Sequence, residues 1–294
     1  MQEAIKKADV LIEALPYLRK FRHKIFVLKY GGSILMEEKV RRSILEDLVF
    51  LFFAGIQVIL VHGGGPEISR RLKENSIESE FHAGMRITSL KVLDIVRESL
   101  AYINQKLVKE IRSLGAKAKG IGGEEVIFAV KKKSARDLGW VGEAKALEKE
   151  KILSFLRRSH ILVVSPLGRD GKNNLYNINA DAAAAFLAKE LAAEKIVLFT
   201  DVKGIMRKRE DESSLISSIT KSQIEALIKE GVIAQGMIPK VLAADFAVAG
   251  GVNKAHIIDA KIPHSLLLEI FTKRGIGTEI ISETVKKGGS SEYK

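Results

Sequence analysis

The stretch Ile25-Phe26-Val27-Leu28-Lys29-Tyr30-Gly31-Gly32-Ser33 decides the fold class of this chain. Its first four residues are a continuous apolar run, which is typical of a strand buried on both faces of a parallel sheet. Lys29 then brings a charge to the strand end, and two glycines form the turn that follows. A second such strand, at 58–61, runs into His62-Gly63-Gly64-Gly65-Pro66. This repetition indicates an α/β protein whose chemistry lies at the carboxyl ends of its strands.

Apolar runs and helical patterns alternate on both sides of these two turns. The alternation predicts a three-layer αβα sandwich around a mainly parallel open sheet. The pattern predicts further strands at 161–165, 196–200 and 255–258, and helices at 36–53, 180–193, 222–230 and 238–249. Thr220, with Gln223 three residues later, forms a capping box before the third of these helices.

The first 22 residues carry apolar side chains at helical spacing and predict an amphipathic N-terminal helix. Pro16 is expected to kink or delimit this helix. We therefore expect an N-terminal helix extension over 1–22 and a single domain over 23–294. Within that domain we expect an acceptor lobe of about 23–190 and a nucleotide lobe of about 191–294.

The composition limits the classes of function. The 294 residues carry a net charge of +12 and no cysteine, which excludes disulfides and cysteine-ligated metals. The six histidines show no HExxH-like pairing, so we expect no protein-ligated metal. No apolar run reaches the ~20 residues that span a bilayer, and we expect a cytoplasmic protein without membrane contact. The basic runs are short and scattered, which favours a surface that attracts anionic substrates over nucleic-acid binding.

Glycine turns at two successive strand ends indicate a phosphate site, because glycine lets backbone N–H groups approach an anion closely. The chain has neither the GxxxxGK[ST] sequence of P-loop nucleotidases nor the HRD and DFG sequences of protein kinases. Gly120-Ile121-Gly122-Gly123 lacks the third glycine of a dinucleotide fingerprint, which disfavours an NAD-binding oxidoreductase.

Three charged residues stand at the ends of predicted elements. Lys29 ends a strand, Lys240 lies near a helix start, and Asp181 begins an alanine-rich helix. Snorkelling would account for either lysine, and the helix dipole for the aspartate. The chemical interpretation is that Asp181 holds both lysines in place.

Eight segments occur together in a fixed order. They are KYGGS at 29–33, VHGGGPEI at 61–68, GMRIT at 84–88, YNINADAAA at 176–184, LFTDVKGI at 198–205, GMIPK at 236–240, AHIID at 255–259 and PHSLLLEIFTKRGIGT at 263–278. Together they closely resemble the acetylglutamate kinases of the amino acid kinase family, over nearly the whole chain. The resemblance implies the amino acid kinase fold and transfer of the γ-phosphoryl of ATP, with Mg²⁺, to the side-chain carboxylate of N-acetyl-L-glutamate in arginine biosynthesis.

The resemblance also implies catalytic roles. Lys29 and Lys240 would stabilise the transferring phosphoryl group, and Asp181 would orient both lysines. Backbone N–H groups would come from Gly31 and Gly32 on the nucleotide side and from Gly63 and Gly64 on the acceptor side, with Gly32 and Gly64 counted as catalytic. The acceptor carboxylate has an ordinary pKa of about 4.3 and is already ionised at neutral pH, so no general base is needed.

The remaining implied roles concern binding. Arg86 would clamp the α-carboxylate of the amino acid, because a guanidinium can meet a carboxylate bidentately. Asn177 and Asn179 would also lie near the amino acid. Thr200, Asp201 and Gly204 would border the nucleotide, together with the two lysines and the first glycine pair.

The N-terminal helix makes the chain similar to arginine-sensitive acetylglutamate kinases. That similarity implies a homo-oligomer, either a dimer or a hexamer built as a trimer of dimers. L-Arginine would act as a feedback inhibitor, bound by Tyr17, His264, Glu269 and Gly275. A PII-type signalling protein is a further partner that the resemblance admits. The alternative is that residues 1–22 simply cover the fold.

Other functions stay open at this point. A kinase for an N-blocked aminoadipate differs by one methylene, which is discriminated by only ~1–3 kcal/mol. Glutamate 5-kinase is disfavoured because the chain has no room for an extra C-terminal domain. A non-catalytic binding protein would not require Lys29, Asp181 and Lys240 together. One departure from the resemblance is Gln235, which stands where a glycine commonly precedes GMIPK.

Overall fold

The strands of the chain form three sheets in the computed structural model, which describes residues 1–208, 210–272 and 274–283. The strands are β1 (Ile25–Tyr30), β2 (Gln57–His62), β3 (Phe81–His82), β4 (Met85–Arg86), β5 (Ala118–Ile121), β6 (Ile127–Lys131), β7 (Gly142–Leu147), β8 (Ile161–Val164), β9 (Leu167–Arg169), β10 (Leu175–Asn177), β11 (Lys195–Thr200), β12 (Ser218–Ile219), β13 (Lys254–Asp259) and β14 (Thr278–Ile280). The central sheet has the order β12-β14-β13-β11-β1-β2-β8-β5, and its β13–β14 pair is antiparallel while the pairs from β13 to β5 are parallel.

Two smaller sheets lie apart from the central one. The order β10-β9-β6-β7 forms a four-stranded sheet, and β3 pairs with β4 as a two-stranded ribbon. The sequence pattern did not predict either of them.

Helices cover both faces of the central sheet. They are α1 (Gln2–Phe21), α2 (Glu38–Phe53), α3 (Gly65–Glu74), α4 (Leu90–Ser113), α5 (Lys149–Arg157), α6 (Ala180–Glu190), α7 (Lys221–Lys229), α8 (Met237–Ala249) and α9 (Ser265–Phe271). Along β1, Phe26 and Leu28 pack into a core shared with α1, α2 and α9, whereas Val27 packs into a second core shared with α6 and α8. Successive residues of one strand therefore face two different helical layers, which confirms the predicted three-layer sandwich.

The predicted elements are found with small shifts at their ends. The helix predicted at 36–53 begins at Glu38, because a 3₁₀ turn over Gly32–Met36 precedes it. The N-terminal helix continues through Pro16, so this proline does not delimit it. The division into lobes near residue 190 stays a prediction, and residues 284–294 of the expected domain lie outside the described residues. No helix in the described ranges has the length and apolar character needed to cross a membrane.

Candidate active site

The two glycine turns meet because β1 and β2 are adjacent and parallel. The N–H of Gly63 donates to the carbonyl of Tyr30 at 2.7 Å, which ties the second turn to the end of the first strand. A side chain at Gly31 would crowd Lys29, since a Cβ there would lie 3.0 Å from Lys29 Nζ and 3.4 Å from the Gly63 Cα. Gly32 has a φ of +75°, which glycine adopts without strain. The two turns therefore meet at one sheet edge, where the Gly63 N–H that was expected to face the acceptor is paired with the Tyr30 carbonyl.

Lys29, Asp181 and Lys240 form a connected triad at this edge. Lys29 Nζ lies 2.9 Å from Asp181 Oδ1, and Lys240 Nζ lies 3.2 Å from both carboxylate oxygens. The side chains of Lys29 and Asp181 are 7% and 10% exposed, so their attraction acts largely out of water. The predicted arrangement of one carboxylate between two lysines is therefore present in the structure.

The cap of α6 fixes Asp181 in place. Asn179 Oδ1 accepts from the N–H of Asp181 at 3.0 Å and from the N–H of Ala182 at 3.1 Å, as an N-cap side chain does. Because the cap occupies this oxygen, the amide nitrogen of Asn179 is the group left to face a ligand.

The pKa values in the triad follow from burial and charge. Burial would raise the pKa of Asp181, but Lys29 and Lys240 outweigh that effect and hold the pKa below its usual range. Burial, together with the positive charge of Lys29, lowers the pKa of Lys240 to about 8, although Asp181 opposes that change. A second anion beside the lysines would be stabilised by this excess of positive charge.

A cavity of about 290 Å³ opens on one side of the triad. Its walls include the predicted residues Lys29, Gly32, Gly63, Gly64, Arg86, Asn177, Asn179 and Asp181. Apolar side chains that sequence reasoning missed complete the wall: Ile68, Phe81, Leu100, Val141 and Ile178. We call this space the acceptor cavity.

Arg86 is a buried cation whose hydrogen-bond partners in the described residues are all neutral. Its guanidinium donates to Ser79 Oγ, to Ser69 Oγ at 2.8 Å and to the Gly65 carbonyl at 3.3 Å, and it stacks over the Phe81 ring at 4.5 Å. Within the described ranges, no carboxylate comes within 4 Å of this guanidinium, and burial lowers its pKa. An anion in the acceptor cavity would supply the missing negative charge.

A second cavity, of about 440 Å³, opens on the other side of the triad and reaches Lys240. The predicted residues Thr200, Asp201 and Gly204 line it, and we call it the nucleotide cavity. Its remaining walls are largely apolar, from Ile205, Met206, Val232 and Met237. Gln235 also lines it with a φ of +46°, a left-handed conformation that a non-glycine residue adopts at a cost.

Comparison with known proteins identifies the family. The family model described as "Amino acid kinase family" matches residues 24–259. This chain belongs to the amino acid kinase family. Curated relatives include acetylglutamate kinases from Desulforamulus reducens, 40% identical over 96% of this chain and 100% of that protein, and from Halothermothrix orenii, 43% identical over the same shares. The resemblance stated from the sequence is thereby confirmed.

Solved structures show the same amino acid kinase fold. An N-acetylglutamate synthase from Neisseria gonorrhoeae, complexed with coenzyme A and N-acetyl-glutamate, superposes with a TM-score of 0.84 at 24% identity, and the match covers 94% of this chain and 63% of that one. A carbamate kinase from Giardia lamblia bound to AMP-PNP has a TM-score of 0.63 at 19% identity, covering 89% and 99%.

The residues expected to bind arginine are only partly together. Tyr17 of α1 packs edge-on against Phe271 of α9, with ring centroids 6.1 Å apart. Glu269 accepts from the N–H groups of Ile276 and Gly277, and a Cβ on Gly275 would lie 2.7 Å from its carboxylate. His264 has a different partner, because its Nδ1 lies 2.7 Å from Asp47 of α2.

Two buried polar residues beside Glu269 escaped sequence reasoning. His256 Nδ1 lies 2.6 Å from Glu269 Oε1, and Lys195 Nζ lies 2.8 Å from His256 Nε2. Lys195 also lies over the Phe21 ring at the end of α1, 5.4 Å from its centroid. Both residues belong to largely apolar strands, and a polar residue in such a strand was the available signal.

Proposed function

We propose that this amino acid kinase transfers the γ-phosphoryl of ATP to the side-chain carboxylate of N-acetyl-L-glutamate, the activity for which its relatives are named. The observation that carries the proposal is the triad of Lys29, Asp181 and Lys240 between the acceptor cavity and the nucleotide cavity. Two lysine cations where two cavities meet suit a reaction that brings two anions together.

The reaction needs charge stabilisation more than proton transfer. A carboxylate oxygen attacks the γ-phosphorus, the bond from that phosphorus to the bridging oxygen breaks, and ADP leaves with the electron pair. No proton moves, because the acceptor is already ionised. Lys29 and Lys240 face the charge on the transferring group, and phosphoryl transfer depends chiefly on such positioning and electrostatics.

Mg²⁺ belongs to the substrate in this proposal. In the described ranges, no group of three histidine, aspartate or glutamate side chains is arranged to hold a metal ion. Mg²⁺ retains several waters and is commonly held by substrate phosphates, so it would arrive as MgATP. Thr200, Asp201 and Gly204 would border that nucleotide.

The acceptor cavity suits an N-acylated amino acid. Arg86 would meet the α-carboxylate, because its guanidinium is buried and has no carboxylate partner in the described ranges. Asn177 donates its amide to Thr88 Oγ1 at 3.2 Å, which leaves its Oδ1 to accept from the N–H of the blocked amino group. Phe81, Leu100 and Val141 would contact the apolar parts of the acyl chain.

Turnover with trapped product tests the proposal. The purified protein is incubated with MgATP and hydroxylamine, and with N-acetyl-L-glutamate, N-acetyl-L-aminoadipate or free glutamate as acceptor. We expect hydroxamate mainly from N-acetyl-L-glutamate. Preference for the aminoadipate derivative would keep the mechanism and change the substrate, whereas no hydroxamate from any acceptor would refute the proposed activity.

We also propose that L-arginine inhibits this enzyme at the junction of α1 and α9 in a homo-oligomer of the cytoplasm. Tyr17 packs on Phe271 of α9, and Glu269 of the same helix approaches Gly275 and the buried His256, which supports this location. The structure gives His264 another partner, so its part in that site rests on the sequence resemblance alone. A synthase with the same fold from Neisseria gonorrhoeae is known complexed with L-arginine.

The exposed face of α1 supports assembly of copies through this helix. Ile5, Leu11 and Ile12 are each more than half exposed, which leaves apolar side chains of this helix uncovered. Such a stripe gains free energy when another copy covers it. We propose a trimer of dimers joined by α1, with binding of a PII-type protein left to direct test.

Deleting residues 1–22 checks both regulatory proposals. The expected result is a smaller particle in light scattering and a loss of arginine inhibition, with hydroxamate formation retained. A truncated protein that keeps both the full oligomer mass and arginine sensitivity would contradict them. A pull-down with purified PII-type protein, with and without ATP, tests that partner separately.

A further inference from the structure

His62 is a fully buried polar residue that the reaction as described does not use. It ends β2 and directly precedes the triple-glycine turn, and its exposed fraction is 0%. A buried imidazole requires hydrogen-bond partners for both ring nitrogens. Those partners determine the tautomer and the orientation of the His62 ring.

The hydrogen bonds of His62 determine its tautomer. Nδ1 lies 3.0 Å from the carbonyl oxygen of Gly63, which can only accept, so Nδ1 carries the proton. Nε2 lies 3.3 Å from Asn104 Nδ2, which can only donate, so Nε2 is unprotonated. The same Asn104 nitrogen donates to the Val163 carbonyl at 2.9 Å, which fixes the orientation of the amide.

The surroundings make this arrangement rigid. Asn104 lies in the middle of α4, and a Cβ on Gly120 of the edge strand would lie 2.1 Å from Asn104 Oδ1. Glycine at 120 therefore makes room for the amide. Burial lowers the pKa of His62 to about 4, so the ring stays neutral across the working pH range.

A hydrogen bond to the Gly63 carbonyl also orients the next N–H. The carbonyl of Gly63 and the N–H of Gly64 belong to one trans peptide, in which they point in opposite directions. Gly64 lines the acceptor cavity, and its N–H donates no hydrogen bond within the described part of the chain. Holding the carbonyl toward His62 therefore holds this N–H away from His62.

We propose that His62 is a positioning residue that keeps the Gly64 N–H directed at the oxygens of the acceptor carboxylate and the transferring phosphoryl group. Asn104 acts one step behind it by holding the neutral imidazole in the required tautomer. This inference rests on the proposed phosphoryl transfer, because it assigns the Gly64 N–H to that reaction.

Two substitutions separate positioning from packing. In His62→Asn the side-chain amide replaces Nδ1 and can still donate to the Gly63 carbonyl. In His62→Gln the amide reaches the place of Nε2, near Asn104, and the donor to Gly63 is lost. We expect His62→Gln to lower kcat by ~10–100-fold with little change in the KM for N-acetyl-L-glutamate, since a small misplacement of a catalytic group is costly. His62→Asn should recover most of that loss.

The outcomes distinguish the two proposals. If both variants lose kcat equally, at matched folded fractions by circular dichroism, the positioning role is overturned. Turnover by the wild-type protein would still support the proposed function in that case. Absence of hydroxamate from the wild-type protein would remove the proposed function itself. The ¹⁵N spectrum of histidine-labelled wild-type protein provides a check that needs no variant to fold. A neutral ring protonated on Nδ1 supports the inference, and protonation on Nε2 overturns it.

Discussion

At the scale of single residues, one carboxylate balances two cations. Asp181 contacts both Lys29 and Lys240, so the triad carries a surplus of positive charge before any phosphate binds. Burial makes that surplus effective, because water would otherwise screen it. Removing either lysine leaves a neutral pair where the transition state needs a cation.

We therefore expect Lys29→Ala and Lys240→Ala each to lower kcat on the order of 10²–10³-fold, by analogy with loss of one oxyanion donor. The KM values should change less, since Arg86 and the nucleotide cavity remain. The hydroxamate assay measures this, with Lys149→Ala on the exposed face of α5 as the matched control. Wild-type turnover in either triad variant would contradict the assignment.

The lowered pKa of Lys240 gives a pH dependence with a defined sign. The charged form is the active one, and its pKa is about 8 in the free protein. We expect kcat/KM for MgATP, which reports the free enzyme, to fall as pH rises through about 8. The fall in kcat should come at higher pH, because bound phosphates stabilise the ammonium. Flat profiles of both parameters from pH 7 to 9.5 would contradict this prediction.

At this scale, site residues can be predicted from the sequence where a charged residue ends an apolar strand or begins a helix. Lys29 attracts notice because it ends an apolar strand, and Asp181 because it begins a helix beside a cap residue. The partners of Arg86 could not be foreseen, since Ser69 and Ser79 reach it only through the fold. For the same reason, the sequence shows His256 only as one polar residue in a strand. Its partners Lys195 and Glu269 are brought beside it by the fold.

At the scale of elements, a polar contact accompanies the apolar packing of α2 against α9. Asp47 of α2 is 1% exposed and lies 2.7 Å from His264 at the start of α9. Burial raises the Asp47 pKa to about 6, even though His264 favours the ionised form. Ionising this carboxylate therefore costs free energy in the folded protein.

The sign of that cost can be tested with Asp47→Asn. Between pH ~4 and ~6 the folded wild type binds more protons than the unfolded chain, so its stability falls as pH rises through that window. The asparagine variant lacks this dependence and should gain up to about 3 kcal/mol relative to wild type from pH 4 to 7. Urea unfolding at four pH values measures the difference in free energy of unfolding between the variant and the wild type. The control is Glu78→Gln, at an exposed position. A stability difference that does not change with pH would contradict the raised pKa of Asp47.

Elements with long apolar runs were predictable, and short ones were not. The strands at the centre of the sheet carry at least four consecutive apolar residues and were found close to their predicted limits. The four-stranded sheet escaped prediction because half of the residues in β7 are exposed and β9 and β10 have three residues each. Such strands are held by their neighbours rather than by a pattern of their own.

At the scale of the whole molecule, the two cavities come from separate parts of the chain. The acceptor cavity is lined by residues between Lys29 and Asp181, and the nucleotide cavity by residues between Thr200 and Lys240. The two lobes expected from the sequence, and their boundary near residue 190, remain a prediction. The mainly parallel sheet was predictable from the alternation of elements.

Two separate cavities predict two additive stabilisations. One ligand is AMP-PNP with Mg²⁺, and the other is N-acetyl-L-glutamate. Each, at 100 times its Kd, should raise the free energy of unfolding by ~2.7 kcal/mol, and both together should raise it by about the sum of the two increments. Urea unfolding with each ligand alone and with both ligands measures these increments. The Arg86→Gln variant should lose the stabilisation by the amino acid and keep the stabilisation by the nucleotide. Loss of the nucleotide response in that variant would argue that one cavity serves both ligands.

The separate linings also bear on how such enzymes diversify. A substitution at Phe81 or Val141 reshapes the wall that meets the acceptor, and neither residue is among those that line the nucleotide cavity. New acceptors can therefore be tried by mutation while the donor half and the triad stay intact. An ancestral protein of this design would need few changes to turn an existing ATP-dependent catalyst toward another metabolite.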